Sequence, residues 1–320
     1  MDAPAAQPQT GPASGHCGGT RLRDEAPPRF MNVRQVADYL HLNEKKVYAL
    51  VGEGNIPATK VTGKWMFPRD LIDRWLIESS YGGVLTDRLA LAGSDDPLLY
   101  RAIMQLARDI RAQALVSYTP TGATLGLGLL ARHRADMCAI HWGPARESQH
   151  RHAALLNQYP QHHDWVLVRV FHRQQGLMVR REHLAELPEL LEAPLRWAMR
   201  QEGSGCHRFL QEALASRQVD LVTIQERATC TALSGRDAAA ALAMGRADIA
   251  PGSQGMATEA GLAFVPVGWE SFDLALYRGV YFRKLFQQLL EELRQPRCRA
   301  LAEELGGYDF SELGRMVWAA

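Results

Sequence analysis

Residues 31–76 read MNVRQVADYLHLNEKKVYALVGEGNIPATKVTGKWMFPRDLIDRWL, and the architecture of the front of the chain follows from this stretch. Val33, Val36, Ala37 and Leu40 recur at helical spacing. The pattern breaks at His41-Leu42-Asn43, and Asn43 is suited to cap a second helix over about Glu44 to Gly52. That helix keeps Val47, Leu50 and Val51 on one side and offers Lys45, Lys46 and Tyr48 on the other. Two short helices joined by a tight turn, the second carrying cations and a polar aromatic, form the layout of a helix-turn-helix. Gly54-Asn55 and Pro57 turn the chain, and Thr59-Lys60-Val61 and Lys64-Trp65-Met66-Phe67 alternate around Thr62-Gly63 as a small hairpin. Pro68-Arg69-Asp70 opens a last helix expected to bury Leu71, Ile72, Trp75 and Leu76.

The order helix, turn, helix, hairpin, helix resembles the excisionase-type winged helices related to the MerR head. The residues that carry it are Val36-Ala37-Asp38-Tyr39-Leu40, Lys46-Val47-Tyr48, Gly54-Asn55-Ile56-Pro57, Trp65-Met66-Phe67 and Leu71-Ile72-Asp73-Arg74-Trp75-Leu76. The resemblance implies double-stranded DNA as partner, with the second helix in the major groove and the hairpin wing on the backbone or minor groove. Lys45, Lys46, Lys60, Lys64 and Arg69 are the phosphate candidates. Asn43 opens the reading helix, and Tyr48 is the candidate for a base edge or sugar. The plainer alternative is a protein–protein module whose lysines are only solvated. Asp38, Glu44, Glu53, Asp70 and Asp73 nearly cancel the cations, so strong non-specific binding by one copy is not expected.

The chain has 320 residues, enough for two or three domains, and its 47% apolar content supports a core. A net charge of +1 requires any nucleic-acid contact to come from a local patch. Five cysteines, Cys17, Cys138, Cys206, Cys230 and Cys298, form no C-x-x-C pair, which argues for a reducing compartment and against a zinc site or disulfide framework. No apolar run approaches ~18 residues and no secretory signal is evident, so a cytoplasmic location with no membrane contact is expected. Residues 1–29, rich in Ala, Pro, Gly and Gln, read as a disordered leader, followed by the DNA-binding domain at 30–80. Ser79 to Gly83 reads as a linker and 84–320 as a sensing domain.

From Val84 onward short apolar strands alternate with helices. Leu89 to Ser94, Ala114 to Tyr118 and Ala135 to Ile140 are expected strands separated by helices, a βαβαβ pattern that demands a parallel sheet with right-handed crossovers. Ligands of such sheets sit beyond the strand carboxyl ends, here Gly93-Ser94-Asp95-Asp96 and Thr119-Pro120-Thr121-Gly122. Trp165 to Arg180 reads as a segment crossing between two lobes. Leu195 to Ala198, Val219 to Ile224 and Ala247 to Gly252 read as strands, Phe264 to Val267 and Phe272 to Tyr277 return the chain, and Val280 to the end reads as amphipathic helix.

A second resemblance rests on the order of Gly93-Ser94-Asp95-Asp96-Pro97, Ser117 to Gly122, Ala135 through His141, Gln175 to Val179, Gly203-Ser204-Gly205, Gly245 to Ala250 and Gly261 to Val267. Together they are similar to the periplasmic-binding-protein-like domain related to molybdate-binding proteins. The resemblance implies two α/β lobes of type II around a cleft that closes on a small ligand. An oxyanion needs backbone N–H groups at helix N-termini and short hydroxyls. Ser94, Thr121-Gly122 and Ser204-Gly205 supply these, and Pro251-Gly252-Ser253 can close the remaining side; the alternative is that the hydroxyls only cap helices. Asp95 stands at the same strand end, where general-base work and plain helix-terminus stabilisation both remain open.

Cys206 and His207 stand where the family more often has Thr and Arg, and Gly235-Arg236 where a His is more usual. Cys206 at a helix start reads either as an acidic thiol or as a small buried side chain. His133, His141, His150, His152, His162, His163 and His172 lack the spacing of a metal site. The expectation is a one-component transcriptional regulator, homodimeric, with no cofactor beyond a possible bound molybdate or tungstate and no catalytic residues. The alternatives are a transport solute-binding protein and an enzyme on the same two-lobed scaffold.

Overall fold

The computed structural model describes residues 28–54, 56–80, 88–111 and 113–319. The leader expected over 1–29 lies almost wholly outside them, as does Tyr81-Gly82-Gly83 of the linker. Contacts divide the chain into two compact units between Ile77 and Glu78.

The first unit contains β1 (Phe30–Met31), α1 (Val33–Tyr39), α2 (Glu44–Gly52), β2 (Thr59–Val61), β3 (Lys64–Pro68) and α3 (Arg69–Ser80). A capping box fixes the start of α1: the Gln35 N–H donates to Asn32 Oδ1, and the Asn32 N–H to Gln35 Oε1, each at 2.9 Å. Asn43 caps α2, accepting from the Lys46 N–H at 2.8 Å. Thr62 and Gly63 both take positive φ (46° and 82°), the conformation that lets a two-residue loop follow the twist of paired strands. Met31, Val36, Val47, Phe67 and Ile72 form the centre of the small core. The last helix departs from expectation. It buries Ile72 and half-buries Trp75, but Leu71 (44%) and Leu76 (37%) are exposed. One step of a helix is about 100°, so Leu71 is swung off the face that Ile72 occupies, and the core is too small to reach Leu76 in the next turn.

The second unit begins with β4 (Arg88–Gly93), α4 (Pro97–Asp109), β5 (Leu115–Pro120), α5 (Ala123–Ala131), β6 (Met137–Ile140), α6 (Ser148–Leu156) and β7 (Trp165–Val179). It continues with α7 (Leu187–Glu192), β8 (Trp197–Arg200), α8 (Gly205–Ala215), α9 (Leu221–Gln225), β9 (Ala228–Ala232), α10 (Gly235–Ala243), β10 (Ile249–Ser253) and α11 (Gln254–Glu259). Then come β11 (Ala263–Tyr277), α12 (Arg278–Tyr281), α13 (Lys284–Arg294), α14 (Pro296–Leu305), β12 (Tyr308–Asp309) and β13 (Met316–Ala319).

These strands form one curled mixed sheet in the order β5-β4-β6-β11-β7-β10-β8-β9, with β12 and β13 also pairing to β7. β5-β4-β6 is parallel, as the alternating pattern demands, and so is β10-β8-β9. Each triplet carries its own core, one around Leu89, Leu98, Met137 and Phe286, the other around Leu177, Trp197, Leu210 and Ile249. The halves are joined by β7 and β11, fifteen residues each, antiparallel along their length. The sheet is therefore mixed rather than parallel, because both long strands serve both halves.

Three expectations are corrected. Val219 to Ile224 is not a strand: Asp220 accepts from the Val222 N–H at 2.9 Å and starts α9, so a local cap overrides β-branched propensity. The two returning strands expected near 264–267 and 272–277 are one strand, β11, bridged by register shifts at Pro266/Gly268 and Phe272/Asp273. The chain end is not helical throughout. Gly306 and Gly307, at φ 74° and 73°, stop α14, and β12 and β13 return to β7.

Candidate ligand cleft and nucleic-acid face

Between the two halves of the second unit, the strand ends meet in a cleft lined by Ser94, Asp95, Gly122, His141, Arg173, Arg200, Ser204, Gly205, Cys206, Gly235, Gly252, Ser253 and Met256. Seven of the eight sequence candidates stand there: Ser94, Asp95, Gly122, Ser204, Gly205, Cys206 and Gly252. Thr121 does not. Its hydroxyl accepts the Gly93 N–H at 3.1 Å and holds the β4–α4 turn instead.

The hydroxyls differ in what they do. Ser94 caps nothing: Asp96 takes that role for α4, accepting from the Leu98 and Leu99 N–H groups at 2.9 and 3.0 Å. Among the described residues the buried Ser94 Oγ has no hydrogen-bond partner, and neither has Ser253 Oγ. Ser204 caps α8 through the His207 N–H (3.2 Å) while lining the cleft. Gly122, at φ 78°, begins α5 with no side-chain cap, so the first amides of α5 are left for another acceptor.

Two buried arginines supply charge that the strand-end loops lack. Arg173, on β7, donates to Glu270 Oε1 (2.8 Å), Asp96 Oδ2 (2.9 Å) and the Asp95 carbonyl (3.0 Å), so two carboxylates neutralise it. Arg200, at the end of β8, is 6% exposed and bonds only to neutral oxygens: the Ala232 and Leu233 carbonyls (3.1 and 3.3 Å) and the Gln201 amide. Its Nη1 makes no bond among the described residues; a methyl group at Gly235 would stand 3.8 Å from it and 3.8 Å from Asp95 Oδ2, so a carboxylate shares this corner of the cleft without forming an ion pair with it. A buried guanidinium in no ion pair among the described residues, two hydroxyls without partners among them and an uncapped helix N-terminus converging on one cleft are the groups an anion requires.

Glu270 also holds His141, Nδ1 to Oε2 at 2.8 Å. Burial pushes the Glu270 carboxyl up, but His141 and Arg173 bring it down to about 2. Burial lowers His141, and the Glu270 charge together with the hydrogen bonds to Cys206 and Glu270 outweighs that and leaves it raised. Cys206 follows Ser204-Gly205 into the first turn of α8. Burial raises its thiol, while the His141 hydrogen bond and charge, with Arg200, bring it down to about 7.

The halves are drawn together around this site. The Arg236 N–H, at the start of α10, donates to Asp95 Oδ2 at 3.2 Å. The Arg236 side chain stacks on Tyr100 of α4, 3.8 Å from the ring centre, rather than entering the cleft. Arg101 pairs with Glu259 (2.8 Å), and Thr124 Oγ1 donates to the Gly203 carbonyl (3.2 Å). The cleft has about 10 Å³ of free volume, close to that of one water, so a larger ligand requires the halves to part.

In the first unit, Lys45, Lys46, Lys60 and Lys64 are exposed and Tyr48 is 53% exposed. Asn43 spends its carbonyl oxygen on the cap of α2. Lys60 lies over the Trp65 ring at 5.6 Å, which orients it on the hairpin. Arg69 is half-buried, 3.7 Å from Asp73, whose carboxylate also accepts from Tyr39 OH (2.6 Å).

Sequence reading missed His141, Arg173, Arg200, Gly235 and Met256 as lining residues. Arg173 lies within the segment read as a crossing between lobes and Arg200 two residues past the strand read over Leu195 to Ala198, and only the folded cleft turns them to a common point. Among the described residues no group of three His, Cys, Asp or Glu side chains is arranged to hold a metal ion. His152, for example, is buried against Asp273 at 2.7 Å.

A helix-turn-helix domain model matches residues 30–80, and a PBP superfamily domain model matches residues 105–294. A protein of Clostridium pasteurianum, described as an uncharacterized protein in the ferredoxin 2Fe-2S gene 5′ region, is 31% identical over 80 residues, 25% of this chain and 71% of that one. The second unit resembles a phosphate ABC transporter substrate-binding protein of Clostridium perfringens, solved with bound phosphate (TM-score 0.50, 9% identity, covering 69% of this chain and 99% of that one). An OxyR mutant of Corynebacterium glutamicum, solved bound to hydrogen peroxide, is also similar (TM-score 0.51, 12% identity, covering 85% and 90%). At these identities the likeness is one of fold.

Proposed function

The chain belongs to the PBP superfamily and carries a helix-turn-helix domain ahead of it, and on that premise we propose that it is a one-component transcriptional regulator whose cleft senses a small oxyanion. The observation that carries the ligand class is Arg200, a buried cation without a carboxylate partner among the described residues, facing unpartnered hydroxyls and the open start of α5. The strand order β5-β4-β6-β11, with two long strands shared by both halves, supports a type II arrangement that closes by hinge motion.

Phosphate, molybdate and tungstate share the required tetrahedral shape. The Asp95 carboxylate in the cleft repels a fully ionised oxyanion and accepts a hydrogen bond from one that keeps a proton. That favours hydrogen phosphate over molybdate, and the bound phosphate of the C. perfringens protein supports the same choice.

DNA binding is assigned to residues 30–80 and ligand sensing to 84–320. The hairpin β2–β3 acts as a wing, with Lys60 and Lys64 on phosphates, while Lys45, Lys46 and Tyr48 of α2 meet the major groove. One such head buries too little DNA for tight specific binding, so a cytoplasmic homodimer is the working form. No helix among the described residues is long and apolar enough to cross a membrane.

Isothermal titration of the full chain with phosphate, molybdate and tungstate, followed by electrophoretic shift of DNA from its own gene neighbourhood at stated salt, tests the reading. Phosphate binding together with a ligand-dependent shift is expected. Absence of binding to all three anions, or a shift indifferent to the bound anion, overturns it.

A further inference from the structure

We propose that Cys206 is a modification site: a thiolate, set up by His141 and Glu270, that a small hydroperoxide oxidises to sulfenic acid. The proposal stands on the arrangement of side chains at the hinge and is independent of the anion-sensing reading.

Cys206 is the second residue of α8, 5% exposed, with its side chain lining the cleft. The amides of the first helical turn favour an anion there. Glu270 fixes His141 through Nδ1 at 2.8 Å, which leaves Nε2 for the sulfur. The ring lies against the backbone of α8: a methyl group at Gly205 would strike both Cε1 and Nε2 of His141. Glycine at this position is therefore what allows imidazole and thiol to meet. Glu270 keeps its charge because its other oxygen accepts from Arg173 Nε at 2.8 Å. The Gln175 amide touches Sγ at 3.3 Å; turned over, it donates instead to Glu270 Oε1 and the Gly252 carbonyl, 3.2 Å each. The charged groups facing the sulfur are His141 after β6, Arg200 from β8, Arg173 from β7 and Glu270 from β11.

The other buried thiols lack this setting. Burial alone drives the Cys138 thiol far up, and Cys298 is pushed up to about 11 by burial and Glu292. Selectivity between oxidants follows from size. The cavity's free volume of about 10 Å³ is that of one water, so a small hydroperoxide needs only a slight parting of the halves, whereas bulky electrophiles need a wide one.

The step balances within the site. The thiolate attacks one peroxide oxygen, an S–O bond forms and the O–O bond breaks. The leaving hydroxide takes the proton from His141 Nε2 and departs as water. Sulfur loses two electrons, the peroxide gains them, and the imidazole is left neutral. Glu270 is a positioning residue that acts through His141.

The test treats the full chain with a few equivalents of hydrogen peroxide near pH 7, traps sulfenic acid with dimedone and maps the adduct by peptide mass. The adduct is expected on Cys206 and not on Cys138 or Cys298. His141→Asn and Glu270→Gln should each slow it at least tenfold, and His141→Asn should also move the pH midpoint of the reaction upward. An unmodified Cys206 alongside a labelled Cys230, or a His141→Asn protein reacting at the parent rate, overturns the proposal. Should the variants fail to fold by circular dichroism, the parent protein's pH profile decides: a midpoint near 7 supports an activated thiolate, and one at or above the ordinary thiol value of about 8.5 refutes it.

Discussion

At Arg200 the chain keeps a guanidinium buried beside neutral oxygens, and the chemistry of the cleft turns on that choice. A hydrogen bond to a charged group contributes about 1.5–3 kcal/mol. Arg200→Met is therefore expected to weaken phosphate binding by roughly ten- to a hundredfold with little change in fold, read by isothermal titration beside circular dichroism. Glu270 gives a pH prediction. Its folded-state carboxyl titrates at about 2, below the ordinary value of 4.5. Its contribution is thus complete above about pH 4.5 and is lost as pH falls through 2. Chemical denaturation across that window should show a stability loss in the parent that is smaller in Glu270→Gln. Gly205→Ala should lower the melting temperature by several degrees, since the added methyl meets the His141 ring. The Ser94, Ser204 and Gly122 positions were legible as polar turns ahead of helices. That Ser94 caps nothing, that Ser204 does both jobs and that Thr121 serves the β4–α4 turn depended on distances no sequence pattern encodes.

Among the elements, α2 is a helix whose sequence and structure agree to the residue, from Asn43 at its cap to Gly52. Its boundaries are set by a local hydrogen bond and a local apolar spacing, so nothing distant had to be known. Asn43→Ala should cost about 1 kcal/mol of stability in the head through loss of the cap. Lys46→Ala should instead leave melting unchanged, weaken DNA binding nearly uniformly across sequences and reduce the salt slope by about 1, measured by anisotropy over a range of salt. The long strands differ from it and from each other. β7 reads as one segment crossing between two lobes, whereas β11 reads as apolar chain interrupted at Pro266-Val267-Gly268, and that interruption looks like an end. Pairing across fifteen residues, with bulges absorbing the misfits, makes each a single strand.

For the molecule as a whole, closure of the second unit places residues from both of its halves around one small volume, and a ligand that binds only this folded arrangement stabilises it by mass action. At a hundred times its dissociation constant, a single bound anion adds about 2.7 kcal/mol, so phosphate should raise the unfolding temperature of the parent clearly more than that of Arg200→Met at the same concentration in a thermal shift assay. The sequence alone determined the two-part plan, a capped pair of short helices with a hairpin followed by alternating strands and helices, because caps, turns and hydrophobic periods act over a few residues. Only the tertiary structure decided which charges the cleft holds. Arg173, Arg200, His141 and Glu270 come from different strands, and they meet because β7 and β11 pass through both halves and bring distant residues to the same hinge.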